Sequence, residues 1–178
     1  MSQVCSIVQL GASSLRQQAQ WVEDIDALDI QEAIAAMQIT LANTQGVGLA
    51  APQINIDKRI IIVASRPTAR YPKAPLMEPV VMINPSYLAC SDSLEKDWEG
   101  CLSIPSIRAL VPRYQVINIT FTNQQGKVMN QSLDGFVARV FQHEYDHLEG
   151  IVYLDRVETS LDIFSETEYF KLIESKAN

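Results

Sequence analysis

Apolar positions along the chain change period several times, and each change marks an element. From Ala27 to Asn43 (ALDIQEAIAAMQITLAN) they fall at 27, 28, 30, 33, 34, 37, 39 and 41, the three-and-four spacing of an amphipathic helix. Asp26 stands where an N-cap belongs, and Gly46 lies just past the end. In QGVGLAAPQ (Gln45–Gln53), two glycines and a proline rule out regular helix. Residues 59–64 (RIIIVA) and 80–84 (VVMIN) are β-branched runs bounded by turn formers and are predicted as strands. The stretch between them, with prolines at 67, 72, 75 and 79, is expected to be a loop. Residues 86–98 are predicted as a further strand pair. Residues 106–113, 115–122 and 127–133 are predicted as an antiparallel meander, with Asn123–Lys127 (NQQGK) turning its last hairpin. Helical spacing returns over Asp134–Leu148, where Phe136, Val137, Val140, Phe141, Tyr145 and Leu148 share a face and Gly150 supplies the stop. Ser160–Asn178 reads as a last short, charged helix. Strands with a helix set among them and no βαβ alternation point to an α+β fold with antiparallel sheets.

The chain has 178 residues, which fits a single domain spanning 1–178. Its longest apolar runs are too short to cross a bilayer, and MSQVCSIVQL lacks the basic start and long apolar core of a signal peptide. A soluble, cytoplasmic protein with no membrane partner is expected. A net charge of −7, with no cluster among the 14 basic residues, argues against direct nucleic-acid binding. Three cysteines, Cys5, Cys90 and Cys101, read as reduced thiols, and a small buried hydrophobe is the ordinary reading of such a residue.

Both histidines of the chain lie in QHEYDH, Gln142–His147. At about 100° per residue, His143 and His147 sit only about 40° apart around the helix axis, so both rings reach one ion. Glu144 flanks that ion without having to ligate it, the arrangement in which a carboxylate takes a proton from water activated by a metal. Two surface histidines on a solvated helix are the plain alternative. The third ligand is not decided by spacing. A downstream histidine of the HExxHxxGxxH kind is excluded, because Tyr153 occupies that position. Glu166 and Glu168 lie far enough downstream to serve a zinc endopeptidase, and Cys101 in EGCLSIP offers a thiolate upstream or else a buried core thiol.

Taken together, GVGLAAPQ (46–53), EGCLSIP (99–105) and QHEYDHLEG (142–150) resemble the three signature motifs of the peptide deformylases, and the similarity extends over most of residues 40–155. The resemblance implies an α+β fold with antiparallel sheets packed around a central metal-binding helix. It implies removal of the formyl group from the N-terminal formyl-methionine of nascent peptides. It further implies one divalent metal ion on Cys101, His143 and His147, ferrous iron in the cell with zinc, nickel or cobalt able to take its place. Glu144 would act as base and then acid, and the Gln53 side-chain amide and Leu102 N–H would hold the oxyanion. For the substrate, Val47, Phe136, Val140 and the stem of Arg139 would wall the methionine pocket. Val47, Gly48 and Gly100 would meet its backbone, and Arg108 its side chains, with Glu99 and Asp146 as supports of the site. An inactive member that merely binds chain termini is disfavoured, because Gln53, Cys101 and Glu144 are all intact.

Departures from the family pattern fall outside these motifs. VQLGASSLR replaces a more usual proline-leucine start, and residues 65–79 are expanded at what would be the rim of the cleft. The tail ETEYFKLIESKAN is short and acidic. Ribosome docking of the kind some members achieve with a longer, basic C-terminal helix is therefore not expected of it.

Overall fold

The computed structural model describes residues 3–68, 71–72 and 74–177. Its helices are α1 (Leu28–Ala42), α2 (Gly135–Leu148) and α3 (Glu166–Ala177). Its strands are β1 (Gly48–Ala50), β2 (Ile60–Ser65), β3 (Met77–Ala89), β4 (Leu94–Cys101), β5 (Ile104–Tyr114), β6 (Val116–Thr122), β7 (Val128–Asp134) and β8 (Ile163–Ser165). They form a five-stranded sheet in the order β1-β2-β3-β6-β7 and a three-stranded sheet in the order β4-β5-β8, with every pair antiparallel.

The continuous apolar run in β2 has a structural reason. Ile61 and Val63 face α2 and pack with Met82, Ile117, Phe121, Ala138 and Phe141. Ile60 and Ile62, one residue out of step, face α1 and pack with Ile34, Met37 and Leu41. A strand covered on both sides loses the alternation that marks a half-exposed one. Helix α2 is correspondingly buried around most of its circumference. Ala138, Val140, Phe141 and Leu148 lie on the five-stranded sheet, while Arg139, His143 and Asp146 turn toward β4 and β5. A helix so enclosed can carry ionisable groups only if those groups find partners, and most of them do. Gly150, at φ +71°, ends the helix as expected; a Cβ there would also press within 2.8 Å of the Arg16 backbone.

Several expectations are corrected. The N-cap of α1 is Ala27, not Asp26; the Asp26 N–H instead turns back onto the side chain of Asp24. Leu28 opens α1 exposed, outside the apolar face it was expected to join. Residues 86–98 are not a strand pair: Tyr87 pairs with Ile119 in one sheet and Trp98 with Leu110 in the other. The expected meander is likewise divided. β5 leaves for the smaller sheet, while β6 and β7 form the hairpin turned by Asn123–Lys127, where the Asn123 side chain accepts from two loop N–H groups. Strand β3 begins at Met77, inside the proline-rich stretch. The tail begins with a 3₁₀ turn and β8, so its helix starts only at Glu166.

Candidate active site

Three elements converge on one cavity: the β1 loop, the end of β4, and the side of α2 that carries Phe136, Val140, His143 and Glu144. The cavity holds ≈240 Å³. Every residue singled out above for the site lines it except His147, which is fully buried, and Asp146 and Glu168.

Cys101 closes β4 just after a register shift against β5, which brings its sulfur over α2. One helical turn separates His143 from His147. The ligand atoms of the three residues lie within 4.8 Å of one another, and neither Glu166 nor Glu168 joins them. Cys101 Sγ is 3.3 Å from His147 Nε2. A tetrahedral ion with ordinary metal–sulfur and metal–nitrogen bonds would set that edge at about 3.6 Å, so the donors fit a metal with little rearrangement. Burial pushes the Cys101 thiol up, but His147 and His143 beside it outweigh that and hold it well below its usual range. The sulfur is therefore available as thiolate, the form that ligates. It also accepts from the Ser103 N–H at 3.4 Å and Gln53 Nε2 at 3.5 Å.

Behind His143 stands a buried ionic chain. His143 Nδ1 is 2.9 Å from Glu99 Oε2. Glu99 receives Arg113 through two nitrogens and Arg139 through a third. Arg113 also reaches Asp146, which holds Arg156 on its other side. Asp146 thus touches no member of the Cys-His-His group and acts on His143 only through Arg113 and Glu99. Burial opposes ionisation of Glu99, but Arg113 and His143 hold its carboxyl well below the usual carboxylate range. On His147, by contrast, the buried Nδ1 has no partner among the described residues.

Glu144 lies beside the cluster. Its Oε2 is buried without a partner among the described residues, and burial pushes the carboxyl up to about 7 against the pull of His143 and His147. A carboxyl at that level can hold or release a proton near neutrality. Gln53 sits in the 3₁₀ turn Ala51–Ile54. Its Oε1 accepts the Ala50 N–H at 2.8 Å, which fixes the orientation of the amide and leaves Nε2 facing Cys101 and, at 3.1 Å, Ser103 Oγ.

Val47, Leu102, Phe136 and Val140 form the apolar part of the cavity. The Arg139 guanidinium points away, to Glu99 and to the Val111 and Glu95 carbonyls, so only its stem can serve the wall. Arg108 is not free for a ligand: it is paired with Glu166 and donates to the Ile107 carbonyl. Sequence reasoning missed Tyr71, whose ring packs on Phe136 with centroids 4.6 Å apart and whose hydroxyl donates to the Trp98 carbonyl. An aromatic residue inside a proline-rich stretch was its only signal. It also missed Ser103 and Arg113, and it considered Glu166 only as a metal ligand.

A thiolate and two imidazoles around one point, beside a buried carboxyl in a part-apolar cavity, define a metal-dependent hydrolase. Comparison with known proteins narrows the class. The pattern of the polypeptide deformylases matches residues 4–161. Peptide deformylase 2 of Nostoc sp. is 50 % identical over 167 residues, covering 94 % of this chain and 93 % of that protein. Peptide deformylase 2 of Shewanella oneidensis is 44 % identical over 150 residues, 84 % of this chain and 82 % of its own length. Among solved structures, the Met-Ala-Ser-bound class I type b peptide deformylase of Acinetobacter baumannii superposes with a TM-score of 0.84 at 40 % identity, covering 88 % of this chain and 100 % of that one. The chain belongs to the polypeptide deformylase family, and its activity is removal of the N-formyl group from newly made polypeptides. Among the described residues no helix is long and apolar enough to cross a membrane.

Proposed function

We propose that Cys101, His143 and His147 hold one divalent metal and that Glu144 moves the proton in hydrolysis of the formyl amide of formyl-methionyl peptides. The convergence of three donor atoms within 4.8 Å, beside a buried carboxylate oxygen with no partner among the described residues, carries this reading. A divalent ion there would polarise the formyl carbonyl and lower the pKa of water. Ferrous iron is the proposed resident ion, and zinc, nickel or cobalt suit the same sulfur and imidazole donors.

The chain's own groups do the rest. Glu144, with a carboxyl at about 7, takes a proton from the attacking water and returns it to the departing amine. Gln53 Nε2 and the Leu102 N–H are the donors proposed for the oxyanion. The Gln53 contact at 3.5 Å is to sulfur, a weaker acceptor than oxygen, so that hydrogen can turn to a developing charge at little cost. The methionine side chain is taken to occupy the apolar wall of Val47, Phe136, Val140 and the Arg139 stem. β4 is an edge strand, so its backbone at Gly100, with Val47 opposite, suits an extended peptide. Glu99 and Asp146 are assigned to holding His143 in orientation rather than to touching substrate.

We further propose that residues 1–178 act as one catalytic domain in the cytoplasm, where formylated chains emerge. Helix α3 begins with Glu166 and Glu168, so contact with the ribosome through a basic C-terminal helix is not part of this reading. The test is formate release from formyl-Met-Ala-Ser by anaerobically purified protein loaded with iron, nickel or cobalt. Turnover that requires both the ion and Glu144 supports the reading; no formate with any ion overturns it.

A further inference from the structure

Cys5 to Leu10 belong to neither sheet and to no helix, yet they are tied to the site at two points. The Cys5 N–H donates to Thr40 Oγ1 of α1 at 2.9 Å, which anchors the start of the segment. The Val8 N–H then donates to the Gln53 carbonyl and the Leu10 N–H to the Ser103 carbonyl, both at 2.9 Å. Donors two residues apart point to one side where the chain is extended. The segment therefore lies as a strap across two separate pieces of chain. One is the 3₁₀ turn Ala51–Ile54, and the other is the turn at Leu102 and Ser103 that joins β4 to β5. The side chains of these pieces also meet, with Gln53 Nε2 donating to Ser103 Oγ at 3.1 Å. Val8 packs in the cluster of Leu15, Cys101 and Ile104, and Ile7 in the α1–β2 cluster that Leu102 also joins.

Both pieces carry groups assigned to the oxyanion: the Gln53 side-chain amide and the Leu102 N–H. Gln53 and Ser103 are buried, so their main-chain carbonyls would be costly to leave without the strap's two donors. The strap ends in a turn that aims its second donor. The Ala12 N–H closes onto the Gln9 carbonyl at 3.0 Å with Gly11 at φ +107°, the left-handed third position of a type II turn.

We propose that residues 5–10 are a positioning strap for the oxyanion donors. By holding Gln53 and Ser103 at once, they fix the Gln53 amide and the Leu102 N–H relative to each other before substrate arrives. The inference rests on the active-site reading above. Donors already in place stabilise a developing charge without reorganising during the reaction. The strap thus acts on the rate of the chemical step through the placement of other groups.

The test uses three substitutions in the full chain. Leu10→Pro removes the N–H that Ser103 accepts, and proline suits the second position of a type II turn. Leu10→Ala keeps that N–H and loses only a side chain that is 47 % exposed, so it is the control. Gly11→Ala loosens the same turn by backbone strain alone, because a Cβ there meets nothing within 4 Å. Two readouts are taken: kcat and KM for formyl-Met-Ala-Ser with nickel, and the side-chain amide resonances of Gln53 with zinc, identified by their loss in Gln53→Ala. Relative to Leu10→Ala, Leu10→Pro should lose about ten-fold or more in kcat with KM little changed, a part of what losing a whole oxyanion donor costs. Its Gln53 amide resonances should shift, and their hydrogens should exchange faster with water. Gly11→Ala should show the same changes to a smaller degree, and it decides alone if Leu10→Pro does not fold. A strap that only stabilises the fold would lower the unfolding midpoint and leave both readouts in place. Unchanged Gln53 resonances, or a kcat equal to that of Leu10→Ala, therefore overturn the proposal. A parent protein that releases no formate counts against the active-site reading, and the amide resonances then decide by themselves whether the strap holds Gln53.

Discussion

Gly48 and Glu144 are in steric register across the cavity: a Cβ on Gly48 would lie 2.2 Å from Glu144 Oε1 and 2.7 Å from its Cδ. The glycine in the β1 loop is what leaves the carboxyl its place on α2. Gly48 has ordinary negative φ, so alanine would be tolerated by the backbone but not by Glu144. Gly48→Ala is expected to keep its fold and metal content while formate release drops by about 100-fold, the cost of misplacing a reacting group by an ångström. Unfolding temperature, metal analysis and steady-state kinetics check this; a near-normal rate would mean that Glu144 has room the structure does not show.

Glu144→Gln separates proton transfer from stability. The carboxyl has a buried oxygen with no partner among the described residues, and burial without pairing is a cost of keeping it. The variant should bind the ion as the parent does and lose about two to four orders of magnitude in kcat. Its thermal midpoint should be no lower than that of the parent. A large loss of stability would show that the carboxylate is held by something other than its catalytic task.

Much of this site was legible because helix geometry is local. His143, Glu144 and His147 lie within five residues of one another, and their relative directions follow from the helical period alone. Cys101 was harder. Its approach to the histidines depends on β4 bending over α2 after a register shift, and no local pattern encodes that. The same limit explains the strand errors. Tyr87 and Trp98 both look like strand residues, and they are, but their partners are Ile119 and Leu110 in different sheets. β8 has only three residues, too few to show a period, so the placement of Glu166 in the cavity wall had no precursor in the sequence pattern.

The buried ionic chain predicts two distinguishable phenotypes. Glu99 touches His143 directly, whereas Asp146 reaches it only through Arg113. Glu99→Gln should therefore weaken metal binding by about 10- to 100-fold, as loss of a ligand's orienting partner does. Asp146→Asn leaves Arg113 and Arg156 undercompensated and should act mainly on stability, lowering the unfolding midpoint more than the metal affinity. Chelator competition and thermal unfolding on both proteins distinguish these outcomes; identical profiles would show that the chain acts as one unit.

A pH effect is expected far from the cavity. Asp155 accepts from Arg16 and from the Val152 N–H, which ties the turn at Tyr153–Arg156 to the N-terminal segment. Partial burial would raise its carboxyl, but Arg16 and the Val152 N–H lower it below the ordinary 3.8. A carboxylate with a depressed folded pKa stabilises fully above its ordinary value and loses that contribution as pH falls through the folded one. Asp155→Asn should be slightly less stable than the parent at neutral pH, a modest difference because the pair is partly exposed. In urea titrations the gap should close as pH falls below 3.8; a gap that persists in acid would place its origin in packing rather than charge.

Metal removal should destabilise the fold and not only stop turnover. The donor atoms of Cys101, His143 and His147 come from β4 and α2, so an ion held by all three links the small sheet to the central helix. A ligand that binds only the folded state raises stability in proportion to the logarithm of its excess over Kd, about 2.7 kcal/mol at a hundred-fold excess. Adding nickel to chelator-stripped protein should therefore raise the unfolding temperature measurably. In Cys101→Ala the same addition should give a much smaller rise, because two imidazoles on one helix turn bind the ion without joining it to β4. An equal rise in both proteins would remove Cys101 from the ligand set, whatever the activity of either.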